Sequence, residues 1–153
     1  MMSVSIRAMT IQDVPVVASI EQRVQSHPWT ARQFIESIEA GQKCTVIEQA
    51  NRVVGFCILQ PVLDEANLLL MAIDPTQHGK GLGHQLLEQS IERLGEGCVM
   101  VFLELRQSNL AALALYQKNG FHQMGVRKNY YPAPQGREDA VLMALTRGNP
   151  FAV

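Results

Sequence analysis

Charge is scarce in this chain of 153 residues: 13 Lys and Arg stand against 14 Asp and Glu, 18% of the total where roughly a quarter is usual. With 47% hydrophobic residues, such a composition excludes a disordered chain. The net charge of −1 leaves no cationic surplus and argues against nucleic-acid binding by phosphate neutralisation. Cysteine is also sparse. Cys44, Cys57 and Cys98 form no C-x-x-C pair, which speaks against a zinc site or a redox dithiol, and each lies in an apolar run as a small buried hydrophobe would in a reducing compartment. The longest fully apolar stretch, residues 110–116, is far short of the roughly 20 residues that cross a bilayer, and no signal-peptide pattern is found. The expectation is a soluble cytoplasmic protein with no membrane contact and no metal. Its length suits one domain, residues 1–147, with a short tail over 148–153, and a monomer is the default. At this size about 68–70% of the unfolded surface can be buried without a metal or disulfide.

Apolar periodicity supplies the elements. Residues 3–8 alternate as a first strand, and Asp13 is placed to cap a helix carrying Val17, Ile20 and Val24, with Pro15 in its first turn. The next helix is marked more fully. Thr30 and Gln33 form a T-x-x-Q capping box, Trp29 and Phe34 a hydrophobic staple, and Gly41 a left-handed cap. Trp29 has two readings, part of the core or a wall on the substrate side.

Residues 43–49 and 52–60 read as a hairpin around Ala50 and Asn51, and residues 68–73 as a central strand covered on both faces, ending at Asp74-Pro75. Leu82, Leu86, Leu87, Ile91 and Leu94 make one helical stripe that Gly95 and Gly97 stop. Residues 98–105 read as a second buried strand, Ser108 as the cap of a helix over 109–119, and residues 121–126 and 140–145 as two further strands. A turn-rich loop over 132–137 separates those two, and the end after Leu145 is expected to fray. The order β α α β β β α β α β β predicts an α/β (α+β) fold: a mixed, mostly antiparallel sheet with helices on both faces.

Two features carry chemistry. The run His78, Gly79, Lys80, Gly81, Leu82, Gly83 lies between a strand and an amphipathic helix, where glycines let successive amides converge on one point and the helix dipole favours an anion. It is an ordinary turn or a phosphate cradle. Its spacing fits neither the P-loop nor the dinucleotide fingerprint. The second is Glu104, a carboxylate interrupting a buried strand, which needs a partner or a task unless the strand surfaces there. Asn109 and Tyr116 follow, two turns apart on one helical face. Tyr116 reads equally as a core aromatic.

Together these residues resemble the GCN5-related N-acetyltransferases over nearly the whole chain. The match lies in Asp74-Pro75 leading into His78-Gly79-Lys80-Gly81-Leu82-Gly83, and in Asn109, Ala112, Leu115, Tyr116, Gly120 and Phe121. His78 stands where Gln or Arg is usual. Within the family, Ile20 to Arg23, Pro28-Trp29, Val62 to Ala66, Asn129 to Pro132 and Gly136 to Ala140 are similar to the subgroup that acetylates the N-terminal alanine of the eighteenth protein of the small ribosomal subunit.

The resemblance implies direct transfer from acetyl-CoA to a peptide α-amine, with a ribosomal-protein N-terminus as partner. It implies Glu104 as proton acceptor, through a water, and Tyr116 as proton donor to the leaving thiolate. Leu70, Met71 and Ala72 would pair with the pantetheine arm, His78 to Gly83 would hold the pyrophosphate where the two central strands splay, and Asn109 would fix the arm near its thiol. Asp64, Glu65, Glu104, Glu138 and Asp139 are candidates for an acidic mouth facing a basic substrate. Two alternatives share the fold: an acetyltransferase acting on lysines, small amines or many N-termini, and a non-catalytic acyl-CoA-binding module.

Overall fold

The computed structural model describes residues 3–148. Among them run β1 (Val4–Ala8), α1 (Val14–Val24), α2 (Ala31–Glu39), β2 (Lys43–Gln49), β3 (Arg52–Val62), β4 (Glu65–Ile73), α3 (Leu82–Glu92), β5 (Met100–Arg106), α4 (Leu110–Lys118), β6 (His122–Ala133) and β7 (Gly136–Thr146). This is the succession that the periodicity predicts. The seven strands form a mixed sheet in the order β1-β2-β3-β4-β5-β7-β6, with β4 parallel to β5 and the β1–β2, β2–β3, β5–β7 and β6–β7 pairs antiparallel. The described residues fall into two compact units, 3–60 with 69–95 and 61–68 with 96–148.

In the first unit, β2 and β3 turn through Ala50 (φ 52°) and Asn51 (φ 64°), the doubly left-handed turn whose twist matches a hairpin. Cys44 and Val46 point into a core with Val14, Val17 and Ile20 of α1, Phe34 of α2, Phe56 and Ala72. Thr45, on the opposite face of β2, hydrogen-bonds Ser90 of α3 at 2.8 Å. Helices therefore cover both faces of β2. The capping box holds: the Gln33 amide donates to Thr30 Oγ1 (3.3 Å) and the Thr30 amide to Gln33 Oε1 (2.8 Å). Trp29 packs on Phe34 with ring centroids 5.3 Å apart, as a staple should. Asp13 does not cap α1 with its side chain. Its carboxylate is taken by Arg7, at 2.8 Å from each nitrogen, and by the Thr10 amide, because an ion pair to the neighbouring strand offers it more than the helix end.

In the second unit, Glu65–Leu68 pair in register with Met100–Leu103. β4 begins three residues earlier than expected and β5 two residues later. The largest difference lies at β6 and β7, which run on to Ala133 and from Gly136 and leave only Pro134 and Gln135 as the turn. A register shift between Arg127 and Tyr131, with Asn129 at φ 53°, breaks the alternation that marks a strand. The polar loop read from 132–137 is thus mostly ladder. Nor does the chain fray after Leu145: the Arg147 amide donates to Val99 O (2.8 Å) and its guanidinium to Cys98 O (2.8 Å). Residues 149–153 of the expected tail lie outside the described residues.

Full coverage of both faces of β4 is not observed. Within the first unit Ala72 is buried and Leu70 packs on the core, whereas Leu69 is 36% exposed. Unbroken hydrophobicity overstated burial because only alternate side chains reach the core. Cys44, Cys57 and Cys98 are all free and buried; burial pushes the Cys57 thiol up to about 12 and that of Cys44 to about 11.

Candidate active site

In the first unit the site is built from the end of β4. Gly55 of β3 lets the two backbones approach: a Cβ there would lie 2.9 Å from Ala72 O and 2.5 Å from Ile73 Cδ1. The Asp74 amide then donates to Val54 O at 2.7 Å. The Asp74 carboxylate accepts from the Thr76 amide (3.0 Å) and hydroxyl (2.9 Å) and from both terminal nitrogens of Arg23 (3.0 and 3.2 Å). Burial pulls its pKa up, but the Thr76 and Arg23 contacts outweigh that and hold it below the usual range. Arg23, on α1, thereby fixes the chain just before the loop 78–83. Leu70, Met71, Ala72 and that loop are one continuous, braced segment.

The loop has the geometry of an anion site. Gly79 (φ 81°) and Gly81 (φ 75°) take left-handed conformations, and Gly81 is the N-cap of α3, where no side chain caps the helix. The first amides of an eleven-residue helix are therefore open to an incoming anion. Leu82 is buried and anchors the first turn. His78 turns away from this cradle: its Nε2 donates to Ile73 O at 2.8 Å. Lys80 Nζ donates to Gln77 Oε1 at 2.8 Å. The cradle is thus made by backbone, with Lys80 on its rim, and suits the diphosphate of a coenzyme.

In the second unit Glu104 is not buried. Its side chain is 32% exposed and stands 3.4 Å from Arg127 of β6. The open face of β5 supplies the reason: along the strand Val101, Leu103 and Leu105 are buried while Glu104 points the other way. On the same face Arg106 bonds Glu138 (2.9 Å) and Pro132 O (2.7 Å) and lies over the Tyr131 ring, 4.6 Å from its centroid. The Arg106 contact, with the Ser108 hydroxyl, holds Glu138 below the usual carboxylate range. Burial, together with the charge of Glu104, raises the Tyr131 phenol. Ser108 therefore serves Glu138, and the cap of α4 is Asn109, whose Oδ1 accepts from the Ala112 amide at 3.2 Å. Tyr116, on the same helix, is buried against Phe121, with centroids 5.6 Å apart.

The five proposed acidic residues do not form one open mouth. Glu138 and Glu104 are paired with arginines, and Asp139 accepts from the Asn129 amide. Glu65 pairs in register with Met100, four residues before Glu104, so about 13 Å separates them along the strand. The strand expected over residues 121–126 stops one residue short of Arg127, which lies on β6. Among the described residues no group of three or more His, Cys, Asp or Glu could hold a metal ion, and no helix is long and apolar enough to cross a membrane.

Known proteins resemble this chain in sequence and in fold. Residues 40–123 match the acetyltransferase (GNAT) domain family. The chain is 42% identical, over 92% of its own length and 96% of the relative's, to the [ribosomal protein bS18]-alanine N-acetyltransferase of Salmonella typhimurium. The Escherichia coli K12 enzyme of that name is 40% identical over the same shares. The crystal structure of the ribosomal-protein-S18-alanine N-acetyltransferase from Escherichia coli superposes with a TM-score of 0.90 at 37% identity, covering 99% of each chain.

Proposed function

Since the chain belongs to the GNAT family, and is an acetyl-CoA-dependent N-acetyltransferase, we propose that its acceptor is the N-terminal alanine of ribosomal protein bS18. The observation that carries this is likeness along the whole length: 42% identity over 96% of a relative that bears that activity in its name. A shared cofactor loop alone would support only the fold. In this reading residues 1–147 act as one catalytic domain, as a monomer in the cytoplasm, on a protein N-terminus and without contact to nucleic acid.

Acetyl-CoA supplies the acetyl group as a thioester. Leu70, Met71 and Ala72 would present backbone groups to the pantetheine arm, one amide polarising the acetyl carbonyl. His78, Gly79, Lys80, Gly81, Leu82 and Gly83 form the cradle for the diphosphate; there the amides carry the contact, since the His78 ring is engaged with Ile73 O. Asn109 uses its Oδ1 as a helix cap, so its Nδ2 is the group left to hold the arm.

Glu104 accepts the proton of the substrate amine through a water, and the Tyr116 hydroxyl gives a proton to the departing sulfur. An α-amine titrates near ~7.7–8.0, so roughly a tenth is neutral at pH 7, and a carboxylate can both attract the ammonium and take its proton. A lysine amine, near ~10.4, asks far more of the same base.

The test is mass-spectrometric mapping of acetyl transfer to a peptide copy of the bS18 N-terminus and to the same peptide blocked at its α-amine. Label on the α-amine of the first and none on the second is the expected outcome. Label on lysine alone would overturn the acceptor assignment.

A further inference from the structure

The geometry points to Arg127 as a positioning residue for Glu104: a resident counter-ion that occupies the carboxylate in the free enzyme and yields it to the substrate's α-ammonium. The inference rests on Glu104 being the proton acceptor.

Four observations lead there. Arg127 pairs in register with Ala140, and Ala140 with Arg106, while Glu104 pairs with Leu142 two residues along β7. Arg127 and Glu104 thus share one face of the sheet across a position that carries only a methyl group, and the long guanidinium stem can reach diagonally over it. The contact is loose. At 3.4 Å, it compares with 2.9 Å for Arg106 to Glu138, where the same guanidinium nitrogen also holds Pro132 O. Arg127 moreover has a second seat, the face of Tyr130, whose centroid lies 5.3 Å from its guanidinium carbon. Displaced from the carboxylate, the cation keeps its aromatic partner.

The backbone beneath it is fixed, so the exchange is a side-chain event. The Asn129 amide donates to Asp139 Oδ1 at 2.9 Å, and Arg137 donates to Asn129 O and Tyr130 O at 2.7 and 2.8 Å. Two consequences follow for an amine arriving at Glu104. It competes with a cation already in place. Once seated, it has that cation as a neighbour, which favours its neutral, nucleophilic form.

The expected effect is small and directional, because Arg127 is 54% exposed and exposed pairs are weak. Arg127→Gln should lower the peptide KM about two- to fivefold, leaving the acetyl-CoA KM and the Tm unchanged. The pH midpoint of kcat should rise by about half a unit, the shift caused by removing a charge roughly 6 Å away in water. Arg127→Lys, which keeps the charge, should stay near wild type. In a Glu104→Gln background the KM gain should vanish. An unchanged or raised peptide KM in Arg127→Gln, with Glu104→Gln slowed below pH 8, overturns the counter-ion role and leaves Glu104 standing as base. Full kcat in Glu104→Gln removes the base and this inference together.

Discussion

The backbone amide of Trp29 donates to Oε2 of Glu21 at 3.0 Å, and Glu21 is fully buried, its Oε1 without a hydrogen-bond partner among the described residues. A carboxylate on α1 thereby ties down the entry to α2, and the staple formed by Trp29 and Phe34 rests on that tie. Burial raises the Glu21 pKa, and the Trp29 amide opposes this only in part.

Because the folded state holds the Glu21 proton more tightly than the unfolded one, stability falls as pH rises above the unfolded value of 4.5. Glu21→Gln should match wild type in acid and become the more stable protein as pH rises. Urea unfolding at pH 4.5 and 8 would show this, and parallel curves at both pH values would contradict it.

Asp13 has the opposite sign. Arg7 chiefly lowers its carboxyl from 3.8 to about 2, so its contribution is complete above pH 4 and is lost as pH falls toward 2. Arg7 is itself substantially exposed, which limits the effect to about 1 kcal/mol. Asp13→Asn should cost that much at pH 7 and nothing near pH 2.

Gly81→Ala tests the cradle. A Cβ at Gly81 meets nothing within 4 Å, so no clash arises, yet φ 75° costs a non-glycine residue about 1 to 2 kcal/mol. The loop should relax away from its left-handed turn and the acetyl-CoA KM should rise severalfold, with the peptide KM unchanged. A wild-type acetyl-CoA KM would show that the turn does not hold the coenzyme.

Tyr116→Phe keeps the packing on Phe121 and removes only the hydroxyl. The kcat should fall about a hundredfold, the lower range for general acid catalysis, with little change in acetyl-CoA affinity. Glu104→Gln should lose rate chiefly below pH 8, where the α-amine is protonated. Full activity of the phenylalanine variant, or a wild-type pH profile in the glutamine variant, would remove the corresponding role.

Much of this was legible in the chain. The α2 start could be read because a capping box, a staple and a left-handed glycine are local devices with fixed spacing, and all three form as spaced. The long β6–β7 hairpin was not legible. Its first strand, β6, lies at the sheet edge, is exposed along most of its length and contains a bulge at Asn129, so the two-residue period fails over residues 127–131. For the same reason Arg127 was hidden, although Glu104, its partner, stood out. Asp13 misled because a cap and an ion pair ask for the same residue type.

The sequence by itself determined the order of elements, the turn glycines, the Asp74-Pro75 lead into the loop 78–83 and the family, since each depends on residues close together in the chain or on whole-length likeness. Tertiary structure decided the charges. A composition almost balanced in sign does not say which carboxylate meets which cation. Asp13 with Arg7, Asp74 with Arg23, Glu104 with Arg127 and Glu138 with Arg106 are set by strand register and helix packing, across 6 to 51 residues of chain. The near-balance of charge contains such pairs, and the loosest of these four lies at Glu104, where an amine has reason to displace it.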